Sequence, residues 1–176
     1  MSWPEPPVPE RYVLRLFVAG TTTRSQNAIT NVRRICDEYL EGRFDLEVID
    51  VYTHPEVTRD FHFADAGDRS GWYINGRPYS PTNIAAAPKL GSTEIWRLVA
   101  DFAHPIHLHL VHFQVISRGL NGPGEFDAGW KDVIDLRPAE EATIIARFDD
   151  YPGRFVFHCH NLEHEDMAMM GNFRVD

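Results

Sequence analysis

Two cysteines in 176 residues, Cys36 and Cys159, are too few for a disulfide framework. The loop after the first apolar segment carries Thr21-Thr22-Thr23 where a thiol redox protein needs a Cys-x-x-Cys pair, which excludes that chemistry. No apolar run approaches the eighteen or so residues of a membrane span. Positive charge is scarce: 17 Lys and Arg stand against 26 Asp and Glu, a formal net charge of -9. That balance argues against nucleic acid or an anionic membrane surface as a partner. Met1 to Glu10 is proline-rich and has no apolar h-region, so it reads as a loose arm rather than a secretory signal and the chain as cytoplasmic. Internal repeats and low-complexity tracts are absent.

Histidine is what the chain has in excess. There are nine, and six fall into two short clusters, His104-Pro105-Ile106-His107-Leu108-His109 and His158-Cys159-His160 with His164. The apolar run before His158 reads as a strand, whose side chains alternate between two faces. Phe155, Phe157 and Cys159 then share one face, and Val156, His158 and His160 the other. A thiolate points one way while its two flanking imidazoles point the opposite way. His107 and His109 likewise share a face, and Pro105 is read as a bend that lets His104 point elsewhere. Cysteine, two histidines and a weak methionine make a blue-copper electron-transfer site. Cys159, His164 five residues on and Met169 ten residues on offer three of those four ligands, although Met170 could replace Met169 in a shifted loop. Cys159 is therefore read as a metal thiolate and not as half of a disulfide.

The chain divides at a charged, Pro-containing junction, Thr53 to Asp60. Before it, Arg11–Ala19 reads as a strand, Arg24–Gly42 as an amphipathic helix stopped by Gly42, and Phe44–Val51 as a second strand. This β-α-β order predicts parallel strands joined by a right-handed crossover. Beyond the junction come short strands separated by turn residues: Phe61–Ala64, Gly71–Ile74, Thr93–Val99, His107–Ser117, Lys131–Leu136, Ala142–Phe148, Arg154–His160 and Met170–Val175. That texture indicates an antiparallel sandwich or barrel. Trp96 and Trp130 read as core aromatics, and His62 and His112 as packing or surface residues. The predicted fold is mainly β, a Greek-key sandwich over residues 58–176 preceded by a small βαβ unit over 1–57.

Two resemblances follow. Tyr12-Val-Leu-Arg-Leu-Phe-Val-Ala-Gly20, the helix after it and Leu46-Glu-Val-Ile-Asp-Val51 resemble the first half of KaiB, a thioredoxin-like fold. His104-Pro-Ile-His107-Leu-His109 and His158-Cys159-His160-x-x-x-His164-x-x-x-x-Met169 resemble multicopper oxidases of the laccase and bilirubin oxidase type. Trp72-Tyr-Ile-Asn-Gly-Arg77, Gly91-Ser-Thr-Glu-Ile-Trp96 and Gly129-Trp-Lys-Asp132 agree with it. The resemblance covers residues 58–176, the last, cupredoxin domain of that family. It implies a type 1 copper on His104, Cys159, His164 and Met169. It sends His107 to a type 2 copper, and His109, His158 and His160 to a type 3 pair. It implies a small-molecule or metal-ion reductant such as a phenol or a bilirubin-like pigment. It also gives Glu165 the place of an acid that helps deliver protons, where the residue taken alone is equally a solvated charge.

In that family a second cupredoxin domain supplies four more histidines to the oxygen-reducing cluster, and no further His-x-His motif occurs in this chain. His54 and His62 stand alone. Three readings follow: a last domain completed by a separate chain, a mononuclear blue-copper electron carrier without oxidase activity, or a twofold dimer whose two half clusters face each other.

Overall fold

In a computed structural model of the chain, residues 11–18, 20, 23–50, 55, 57–67 and 71–176 are described. The Pro-rich arm, Thr21, Thr22 and His54 lie outside them. The chain separates into two units, Met1–His54 and Pro55–Asp176.

In the first unit, β1 (Tyr12–Val18) and β2 (Phe44–Asp50) pair in parallel, Leu14 opposite Leu46 and Leu16 opposite Val48. One residue out of phase, Arg15 and Glu47 sit opposite each other and form a salt bridge at 2.9 Å. Both side chains are more than half exposed, so the pair contributes little stability. The helix α1 (Thr23–Leu40) buries Cys36 and half-buries Ile29, Val32 and Leu40 on one stripe. It ends two residues before the expected Gly42. Glu41 and Gly42 take positive φ values of 48° and 77°, and the Arg43 N–H closes the turn on the Leu40 carbonyl at 2.9 Å. Gly42 meets the left-handed conformation without a Cβ penalty.

The second unit is two five-stranded sheets. One runs β4 (Trp72–Ile74), β3 (Val57–Asp65), β6 (Ser92–Ala100), β10 (Glu141–Phe148), β8 (Phe113–Arg118). The other runs β5 (Ile84–Ala86), β12 (Met170–Val175), β11 (Gly153–Cys159), β7 (His104–Leu108), β9 (Val133–Leu136). Alternation drives the burial: in β6, Ser92, Glu94, Trp96, Leu98 and Ala100 all point inward. Trp96 sits at the centre of the core, with ring centroids 4.7 Å from Phe61, 5.5 Å from Phe157 and 5.6 Å from Phe148. Its indole N–H donates to Glu94 Oε2 at 2.9 Å, and Arg59 closes on the same carboxylate with two bonds of 2.7 Å. The buried acid is thereby fully paired, as an interior charge requires.

Four expectations are corrected. The apolar alternation of His107–Ser117 reads as one strand, but the chain breaks it in two. β7 ends at Leu108 in one sheet, Leu110 takes φ 75°, and β8 starts at Phe113 in the other sheet. Apolar residues on both sides of the crossing hide the break. Trp130 is 65% exposed and not in the core. The junction through Asp60 is already strand from Val57, held beside β6 in parallel. Pro105 makes no bend: it pairs with Asp135 inside β7, and simple alternation parts His104 from His107. Three elements had no clear sequence signal, the three-residue β5, the single 3-10 turn Glu125–Asp127 and the five-residue helix α2 (Leu162–Asp166).

Gly171 lies opposite Phe157 across β11 and β12, and a Cβ placed there would meet the Phe157 ring at 2.8 Å. Gly171→Ala is expected to lower stability by about 1–3 kcal/mol through overpacking. The denaturant midpoint of the purified variant measures it.

Candidate metal centre

β7 and β11 pair antiparallel, His158 opposite His107 and Cys159 opposite Ile106. His104, Ile106 and Leu108 face the core, while His107 faces away from it. Cys159 likewise turns inward and is fully buried. After Cys159 the chain turns through α2, whose first turn is capped by Asn161 Oδ1 accepting from the Glu163 N–H at 3.2 Å. The turn brings His164 back inside. The Met169 N–H donates to the His164 carbonyl at 2.9 Å, and the Cys159 N–H donates to the Met169 carbonyl at 3.0 Å. Ala168, at φ 61°, makes the reversal.

The result is one tight donor group. His104 Nδ1 and His164 Nδ1 are 3.1 Å apart, and each lies 3.5 Å from Cys159 Sγ. A tetrahedral ion with bonds of about 2.05 Å to nitrogen and 2.3 Å to sulfur needs its donors about 3.3 and 3.6 Å apart. The residues therefore fit a soft or borderline metal ion without rearrangement. Met169 is fully buried, whereas Met170 begins β12 opposite His158 and Met167 is half exposed. Trp72 stacks on the His164 ring with centroids 3.8 Å apart and meets His104 edge-on at 5.4 Å.

Electrostatics suit a neutral or metal-bound group. Burial pushes the Cys159 thiol above its ordinary value. Burial, and then the neighbouring His104, push His164 below the ordinary imidazole value. His104 Nε2 lies 3.0 Å from Asp101 Oδ1. An N–H there donates to the carboxylate and leaves the Nδ1 lone pair facing the sulfur. Asp101 also accepts from the Asp65 and Phe102 N–H groups, both at 2.7 Å. Partial burial is the largest influence on its carboxyl and pushes it up, but the bonds from His104 and the two N–H groups together hold it below its usual value.

On the opposite face of β11 lies a second group, His107, His109 and His158, with one nitrogen from each within 4.8 Å of the others. His160 stands beside it, ring centroids 5.9 Å from His107 and 5.4 Å from His158. It does not join the three. Glu165 Oε2 is 3.8 Å from His158 Nδ1 and 3.9 Å from His160 Nδ1. His62 and His112 are exposed. Asp101 escapes sequence reasoning, although an acid three residues before a ligand-type histidine is a usable signal. Trp72 stands out in the sequence only as part of a flanking motif.

The sequence model of the multicopper oxidase family matches residues 50–176, and that of the KaiB domain matches residues 15–64. The chain is 44% identical to a laccase of Haloferax volcanii over 108 residues, which is 58% of this chain and 19% of that protein. It is 37% identical to the bilirubin oxidase of Albifimbria verrucaria over 126 residues, 66% of this chain and 22% of the other. Among solved structures it resembles the multicopper oxidase of Campylobacter jejuni, a metallo-oxidase, with TM-score 0.60 and 29% identity over 75% of this chain and 35% of that one. The chain thus spans about a fifth of the length of the curated relatives it matches.

Two outcomes are expected at the inward group. Asp101→Ala releases the His104 ring, and the affinity for an added divalent metal should fall about 10–100-fold in a chelator competition. Metal uptake must expel the thiol proton, because burial keeps Cys159 protonated through neutral pH, whereas His164, with its lowered value, is already neutral there. Affinity should therefore rise with pH through the neutral range, with the thiol proton released on binding. A pH-stat or calorimetric titration reads both.

Proposed function

The chain belongs to the multicopper oxidase family, and from that premise we propose that its second unit is the electron-accepting domain of a laccase-like oxidase. His104, Cys159, His164 and Met169 hold a type 1 copper. The observation that carries this reading is the pair of donor groups standing back to back across β11, one ending on Cys159 and the other beginning on the adjacent His158. Copper held there would supply one-electron chemistry with a small-molecule or metal-ion reductant, and the Cys159 thiolate would be its link to the outward face. The chain's own residues do the rest. Cys159 and His158 share one peptide unit, so the covalent path between the two faces is as short as a backbone allows. Asp101 orients His104, and Trp72 excludes water from one side of His164. Glu165, near both His158 and His160, is placed to hold a proton on the outward face.

His107, His109, His158 and His160 supply half of a type 2 and type 3 oxygen-reducing cluster, completed by another cupredoxin domain or a second copy of this chain. One observation favours a second reading, a mononuclear blue-copper electron carrier. Among the described residues the remaining histidines, His62 and His112, are exposed and belong to no donor group.

Copper-loaded protein should show an intense thiolate-to-copper band in the visible, lost in Cys159→Ser and kept in His107→Ala. A band that survives Cys159→Ser would overturn the ligand assignment. Oxygen uptake with a phenolic or metal-ion reductant should be absent where sedimentation shows a monomer. It should appear on dimerisation or on adding a partner cupredoxin domain; its absence in every state leaves the electron carrier.

A further inference from the structure

Strand parity points His107 outward, but it does not decide which nitrogen of the ring carries the proton. That choice comes from a backbone oxygen. His107 Nδ1 lies 2.8 Å from the Asp132 carbonyl, which also accepts from the Leu108 N–H at 3.0 Å. A carbonyl only accepts, so Nδ1 holds the ring proton and Nε2 keeps its lone pair. Asp132 closes the connection from β8 to β9, residues 119–132. Backbone bonds to β8 hold the two ends of this loop, Asn121 on Arg118 and Lys131 on Phe113. Between them the large apolar side chains do not pack: Leu120, Phe126 and Trp130 are all at least 65% exposed. Gly119, Gly122, Gly124 and Gly129 leave the backbone conformationally free. Asp127 is the only buried residue of the stretch, so the loop is fastened by a charge and not by a hydrophobic anchor.

The charge that meets it is Arg118, the last residue of β8. Arg118 Nε and Nη2 donate to Asp127 Oδ2 and Oδ1 at 2.7 and 2.9 Å, a two-pronged pairing that fixes direction as well as distance. Its Nη1 donates to the Asp135 carbonyl at 2.9 Å and to Glu140 Oε2 at 3.0 Å. The bonds from Arg118 hold the Asp127 carboxyl below its usual value against the effect of burial, so the pair is charged at neutral pH. One guanidinium thus grips the chain on both sides of Asp132, at Asp127 before it and at Asp135 after it.

We propose that Arg118 is a positioning residue for His107: by clamping Asp127 and Asp135 it fixes the Asp132 carbonyl, and through that carbonyl the tautomer that leaves the His107 Nε2 lone pair free. The purpose of the device rests on the reading of the outward histidines as half of an oxygen-reducing cluster, but the proton position is a property of the metal-free single chain.

The test uses the full chain, stripped with a chelator, with its histidine rings followed by long-range proton–nitrogen NMR, which separates protonated from unprotonated ring nitrogens. Wild-type His107 should carry its proton on Nδ1. Arg118→Ala should give a mixture of tautomers. The Leu108 N–H, which reports the same carbonyl, should then exchange about tenfold faster or more relative to the Cys159 N–H, the mark of a local opening. Arg118→Ala also strands two carboxylates, an effect that can unfold a chain outright. Arg118→Ala with Asp127→Ala removes the buried one of the two, and should fold and show the same loss. Trp130→Ala, on the same loop but unpacked, should leave His107 as in the wild type. A His107 proton that stays on Nδ1 in the double variant overturns the proposal. So does Leu108 exchange that rises only in step with Cys159, or a Trp130→Ala variant that disturbs His107 equally. The blue band of the copper-loaded wild type is read separately, and its absence with the Arg118 effect intact sinks only the type 1 reading.

Discussion

Two imidazoles, His104 and His164, are sealed together with the Cys159 thiol into the interior of a sandwich whose core is mostly apolar. Their donor atoms crowd to within 3.5 Å of one another. Without an ion the group can satisfy itself only weakly, through contacts that depend on which ring nitrogen carries the proton. Much of the local architecture exists to tolerate that crowding. Asp101 accepts a hydrogen bond from the Nε2–H of His104, Trp72 covers the face of His164, and two backbone bonds pin the 159–169 turn so that the group cannot relax outward. A bound cation would turn this local burden into stabilisation, since binding to the folded state alone favours it.

The outward group follows from the same strand. Consecutive residues of β11 must face opposite ways, so a buried thiol at 159 obliges an imidazole at 158 to look outward. β7 repeats the rule in antiparallel register and delivers His107 beside His158, with His109 following just past the strand end. Neither group needed a specialised loop on the β7 side; pairing and parity were enough. On the β11 side parity runs out at Cys159, and the capped turn of α2 takes over to return His164.

What could be read from residues alone was what obeys a short period. The β-rich texture, the parallel β1–β2 pair and the opposite facing of Cys159 and His158 all follow from spacing. What could not be read depends on distant parts of the chain. The crossing at Leu110 is invisible because His107–Ser117 is apolar on both sides of it, and only the sheet to which each half belongs tells them apart. Asp101 gains its meaning from a contact with His104 that no periodicity encodes. Trp130 shows the limit of hydrophobicity as a guide, since a large aromatic at the end of a loop had no sheet face to join. β5 is too short to carry a period, and α2 is set by its cap more than by its content.

Gly171 has a consequence beyond packing. If β12 slipped by one position against β11, Phe157 would find Met170 or Asn172 beneath it instead of a bare backbone, and neither leaves room for the ring as it now lies. A slip of that size exchanges the two faces of a strand. The missing side chain therefore acts as a key that admits one alignment of the final hairpin. In that alignment the sulfur goes in and its neighbouring imidazole goes out.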